Sequence, residues 1–237
     1  MSNAFKCDLD ILTTNDDGVA TSPRRLLAVH TFEGQDLDAR AMANYQLNPS
    51  AGGSYHLVID RDGVTAREND DEFIPWAARS TGNRAGFHFS LAGRAAMTRD
   101  EWLARPKQLA KLAEILAAYS REYGIPLVRL TAAEVRAGKS GVCGHAEISD
   151  AWRESDHTDP GKGFPYDHVL DLAAHQSTVK ETTTMDALDK KIQVWDKTQH
   201  TAAELIANTD SRTHIFYTEM LPRIESKLDQ VIEALKK

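Results

Sequence analysis

The chain has 237 residues, 41% hydrophobic and 27% charged, enough apolar material for one large globular domain with or without an appendage. Its 28 lysines and arginines are outnumbered by 35 aspartates and glutamates, and the resulting net charge of −7 excludes sequence-independent nucleic-acid binding, which rests on neutralising phosphates. No apolar run approaches the length of a membrane span, the opening MSNAFKCDLD lacks the apolar core of a secretory leader, and Cys7 and Cys143 are too few for a disulfide scaffold.

In chain order, Leu26 to His30 is a short apolar run that predicts a buried strand, bounded upstream by Ser22-Pro23. Asp36 to Gln46 predicts a helix with Asp36 as N-cap and Leu37, Ala41 and Tyr45 on one face. Ser54 to Asp60 is β-rich and runs into Arg61-Asp62-Gly63, a tight-turn signal, so a hairpin is expected. Gly86 to Leu91 is a third strand, Arg99 to Tyr123 a long amphipathic helix closed by Gly124, and Ile125 to Val128 a further strand. Strands interleaved with crossing helices predict an α/β class, a central mixed sheet flanked by helices, over residues 1–175.

The character then changes. Residues 176–184, ending in a polar stretch without aromatics, read as a linker, and 185–237 as a C-terminal helical segment with helices over Met185 to Asn208 and Arg212 to Lys237. In the second, Tyr217, Leu221, Ile224, Leu228, Val231 and Leu235 form a heptad seam, fit either to dock on the chain itself or to make a homo-oligomer.

Among nine histidines, three stand out by context. His30 closes an apolar strand, where a buried imidazole must find a partner; His145 sits in the glycine-flanked Gly141-Val142-Cys143-Gly144-His145; and His157 lies two residues before Asp159 in a turn-like segment. Two neutral imidazoles and a carboxylate form a sound catalytic zinc set, although the spacing of His30, His145 and Asp159 matches no short zinc motif. Taken alone, Tyr55 reads as a strand aromatic, Trp76 as a partly buried core residue and Cys143 as a small buried hydrophobe or thiolate ligand; His56 falls on the strand face opposite Tyr55.

Leu27-Ala28-Val29-His30-Thr31, the segment Ser54 to Gly63, Gly144-His145 and His157-Thr158-Asp159-Pro160-Gly161 occur in the order seen in one family. Over roughly Leu26 to Asp171 the chain resembles the type 2 zinc N-acetylmuramoyl-L-alanine amidases, which share a fold with peptidoglycan recognition proteins. The resemblance implies Zn²⁺ ligation by His30, His145 and Asp159, with Tyr55 facing the attacking water. It also implies His157 in place of the family's lysine, to stabilise the oxyanion or protonate the leaving amine, and Trp76 beside the substrate groove. The separation of His145 and Asp159 is longer than the family's, which predicts an extra loop turn over Ala151 to Asp156 and leaves open whether His157 or Asp159 is the third ligand. Ser90 stands near where some members carry glutamate. The implied function is hydrolysis of the bond between N-acetylmuramic acid and L-alanine in bacterial peptidoglycan by a phage lysis enzyme. Such an enzyme is made in the host cytoplasm without a signal peptide and acts on the wall after release. A non-catalytic peptidoglycan-binding module of the same fold is the alternative.

Overall fold

The computed structural model describes residues 3–34, 37–176, 191–193 and 199–201. The chain divides into two units, Met1–Ser177 and Thr178–Lys237. The first is built on a six-stranded sheet ordered β1 (Leu9–Asp10), β5 (Thr65–Arg67), β4 (Leu57–Ile59), β7 (Gly86–Leu91), β3 (Leu26–Thr31) and β8 (Gly141–Gly144). All neighbours run parallel except β4 and β5, the two arms of the hairpin expected around Arg61-Asp62-Gly63, so the sheet is mixed. A separate antiparallel pair joins β2 (Asp16–Val19) to β6 (Phe73–Pro75).

The two faces of the sheet differ in chemistry. Alternate residues Leu27, Val29, Leu57, Ile59, Phe87, Phe89 and Leu91 face α4 (Pro106–Tyr123), which contributes Leu109, Leu112, Ile115, Leu116 and Tyr119. Trp102 of α3 (Arg99–Leu103) and Val169 of a helix over 166–176 complete that core. Burying such side chains contributes roughly 1.5–3 kcal/mol each, which makes this layer the main source of stability. The opposite face is covered at two ends. At one, Ala39, Met42 and Ala43 of α1 (Ala39–Gln46) pack on Val58 and Ala66. At the other, Leu26, Ala28 and Cys143 meet Val135 of α5 (Ala132–Arg136) and Ile148 and Ala151 of α6 (His145–Trp152). α2 (Arg79–Ala85) adjoins that second cluster through Ala78 and Ala85. His30, His88 and Ser90 occupy the same face by strand parity, and there the sheet is polar although buried.

Several local expectations are corrected. The helix expected over Arg99 to Tyr123 is two helices, because Pro106 lacks an N–H and starts a new one; Thr98 caps α3 in a capping box with Glu101. The N-cap of α1 is Asp38, whose side chain accepts from Ala41 N, and the buried face is Ala39, Met42, Ala43 and Gln46 while Tyr45 is exposed. Ile125 to Val128 forms no strand; Pro126 removes a ladder donor, and the sheet is met only by a bridge between Arg129 and Val142. α6 runs on through Trp152, so the loop expected over Ala151 to Asp156 starts at Arg153, a left-handed C-cap with φ 58°. Within Met185 to Asn208, expected to be helical, Lys191–Gln193 (β9) and Gln199–Thr201 (β10) pair antiparallel. The proposed linker after Gln176 and the helix and heptad seam over Arg212 to Lys237 lie outside the described residues. Among the described residues no helix is long and apolar enough to cross a membrane.

Candidate active site

Convergence of the site follows from strand order. β3 and β8 are neighbours with Val29 opposite Gly144, so the next residues, His30 and His145, emerge side by side. Gly144 is required there: a Cβ would stand 2.5 Å from the Tyr166 hydroxyl and 2.7 Å from Pro160 Cδ. The loop after α6 returns Asp159 to the pair. Its Oδ2 accepts from Thr31 N at 3.1 Å and its carbonyl accepts from Ala146 N at 3.0 Å.

His30 Nδ1 lies 3.2 Å from Asp159 Oδ2, and His145 Nδ1 lies 3.2 Å from Asp159 Oδ1. One ligand atom from each of the three buried residues falls within 4.8 Å of the other two. This set fits a divalent cation such as zinc on two grounds. The donors are two imidazoles and a carboxylate, and His30 Nδ1 is a buried polar atom without a hydrogen bond among the described residues. Burial lowers the pKa of His30, which keeps it neutral as a ligand must be. Burial raises that of Asp159, but the adjacent imidazoles of His145 and His30 outweigh it and hold the carboxylate well below its usual range. Beyond these residues, His145 Nε2 meets Ser155 Oγ at 3.2 Å, and Ser155 Oγ meets Ser149 Oγ at 2.6 Å. His30 Nε2 meets His88 Nδ1 at 3.0 Å, a contact of the kind that orients a ligand.

The remaining candidates surround this cluster. His157 stands 3.6 Å from Asp159 Oδ1, stacks on His145 at 4.5 Å between centroids and is largely exposed, outside the ligand group. Tyr55 precedes β4 with its ring 5.2 Å from that of His30; burial, then the charge of Asp159, raises its pKa, so the phenol keeps its proton. Trp76, Tyr55, His145 and His157 line one groove of about 490 Å³, with Phe32 and Tyr45 on the α1 side and Arg79 and Asn83 on the α2 side. Trp76 is fixed by Nε1 donating to Asp17 at 2.9 Å. Ser90, in register with His30, is buried, with no hydrogen-bond partner for its Oγ among the described residues. Cys143 packs with Leu26 and Ala28 as a small hydrophobe, and burial pushes its thiol up to about 12. His56 is buried away from the cluster, its Nδ1 accepting from His88 N at 3.0 Å.

Two residues close to the site escaped the sequence reading. His88 belongs to no motif. Glu68, wholly buried, accepts from Tyr55 N at 2.8 Å, and Asn69 Nδ2 donates to Tyr55 O at 2.7 Å. The side-chain amide of Gln46 faces both Glu68 oxygens, at 2.7 and 2.5 Å. A fixed Tyr55 backbone aims the phenol.

Residues 20–162 match the family model described as N-acetylmuramoyl-L-alanine amidase. The match spans more than half of the chain, and the chain belongs to the N-acetylmuramoyl-L-alanine amidase family. It is therefore an enzyme, an amide hydrolase of peptidoglycan. Its structure is similar to that of the Staphylococcus aureus hydrolase AmiA in complex with its ligand, at TM-score 0.59 and 16% identity over 75% of this chain and 87% of that one. A selenomethionine derivative of AmpD matches at TM-score 0.52 and 18% identity over 73% of this chain and 98% of that one. At such identities the likeness is one of fold, the mixed sheet flanked by helices. No curated protein matches the chain.

Proposed function

We propose that the chain hydrolyses the amide between N-acetylmuramic acid and L-alanine with a zinc ion held by His30, His145 and Asp159, and that it serves as a phage lysis enzyme. The observation that carries the reading is the set of three buried donor atoms within 4.8 Å of one another, in a chain of the amidase family. Zinc bound there would polarise the scissile carbonyl and activate water for attack.

The chain's own residues do the rest. Tyr55, kept protonated, donates a hydrogen bond at the reacting centre and does not act as a base. His157 stands at the exposed edge of the cluster, where an imidazole can stabilise the developing oxyanion or give a proton to the leaving amine. Trp76 offers an aromatic wall to the glycopeptide in the groove. Asp159 and both histidines are retained, which favours the enzyme over a module that only binds peptidoglycan.

The test is incubation of purified peptidoglycan with the protein, with chelator, and with chelator followed by excess zinc. New L-alanine amino termini are expected in the first and third conditions and not in the second. Their absence under every metal condition, with wall binding retained, would establish the binding module instead. The phage setting has its own test: cytoplasmic expression should lyse cells only when the inner membrane is permeabilised.

A further inference from the structure

The directions of hydrogen bonding behind His30 can be deduced from one backbone carbonyl. Gly82 O can only accept, and His88 Nε2 lies 3.1 Å from it, so the His88 proton is on Nε2. His88 Nδ1 is then a lone pair, and it lies 3.0 Å from His30 Nε2. His30 must therefore carry its proton on Nε2, which leaves Nδ1 as a lone pair directed at Asp159 Oδ2, 3.2 Å away. Among the described residues nothing hydrogen-bonds to that nitrogen.

The rest of the structure holds this arrangement in place. His88 is wholly buried, its backbone N–H donates to His56 Nδ1, and the His56 ring stacks parallel to its own with 7° between planes. Gly82 has no room for a side chain, since a Cβ would stand 2.8 Å from both Ala78 Cβ and Ile148 Cγ2; a larger residue would displace the carbonyl that fixes the first proton.

We propose that His88 is a positioning residue that locks His30 in the Nε2–H tautomer and so presents Nδ1 to a cation. The proposal rests on the metal-site reading above. Without His88, His30 can move its proton to Nδ1 and donate to Asp159. The net charge is unchanged, but two of the three donors are then occupied with each other, and a metal must break that bond before it binds. Loss of such an outer partner typically costs about 10–100-fold in metal affinity.

The test reads tautomer and affinity separately in the full chain. Nitrogen-15 histidine correlation spectra of metal-free protein, with His30 assigned by its loss in His30→Gln, should display the Nε2–H form in the wild type. His88→Phe should turn it to the Nδ1–H form and weaken zinc binding, measured by chelator competition, by about 10–100-fold. His88→Gln, whose amide supplies both an acceptor and a donor, should recover part of that loss. A wild-type His30 protonated on Nδ1 overturns the proposal, even if His88→Phe fails to fold. So does His88→Phe with unchanged tautomer and affinity. If the wild type has the Nε2–H form and binds no zinc, the metal reading fails while the tautomer lock stands.

Discussion

Glu68→Gln isolates a carboxylate that the fold buries completely beside Tyr55. Burial pushes its pKa from the ordinary 4.5 to about 8, against an opposing hydrogen bond from Tyr55 N. A group whose pKa is raised on folding keeps its proton longer in the native state. Its contribution to stability is full below about 4.5 and is lost as pH rises through about 8. At about 1.4 kcal/mol per unit, the wild type should lose on the order of 5 kcal/mol over that window through this one group. Glutamine keeps an acceptor for Tyr55 N and an amide for Gln46, and it cannot ionise. The two proteins should therefore have nearly equal stability at about pH 5, and the variant should be the more stable by several kcal/mol at about pH 9. Urea denaturation midpoints across that range measure the difference directly, because every other titration is shared. A difference that stays constant with pH would refute the reasoning and mean that Glu68 is ionised in the native protein throughout.

Asp159→Ala and His30→Ala should each abolish zinc binding and turnover, read by metal content and release of L-alanine amino termini. His157→Ala should keep zinc and lose roughly 10²–10⁴-fold in turnover, while His157→Lys retains activity and extends the alkaline limb of the rate profile, since lysine stays charged to about pH 10. Retention of zinc by Asp159→Ala together with its loss in His157→Ala would exchange the two roles. Gly161→Ala should cost a few kcal/mol in thermal unfolding and release the metal, because φ is +90° and the new Cβ would enter the Ala95 carbonyl behind Asp159. A chain ending at Ser177 should bind zinc and cleave soluble muropeptides as the full chain does, since every site residue lies within the first unit; a folded, zinc-loaded but inactive product would place the remainder in the working enzyme.

What could be read in advance follows physical lines. Gly86–Leu91 has its expected bounds and Leu26–Thr31 exceeds the expected strand by one residue, because both are central parallel strands whose apolar runs need no turn to define them. The hairpin was legible from Arg61-Asp62-Gly63, although pairing is confined to three residues in each arm. α5 carries a sequence signal of its own, the capping box Thr131-x-x-Glu134. α2, by contrast, has Ser80-Thr81-Gly82-Asn83 at its centre, poor helix formers that packing overrides.

The site divides in the same way. His30, His145 and Asp159 came from the order of motifs, since their spacing carries no information on which strands lie next to each other; the pairing of Val29 with Gly144 supplies that. His88 and Glu68 belong to no motif, yet β7 held a usable sign. Phe87, Phe89 and Leu91 alternate with His88 and Ser90, and this strand is buried on both faces. In a solvated sheet such alternation means only that one face is wet. In an interior strand the polar face cannot meet water, and a buried imidazole or hydroxyl is costly unless something polar opposes it. Alternation in a strand flanked on both sides by parallel neighbours therefore locates a buried polar site, and here that face looks directly onto His30.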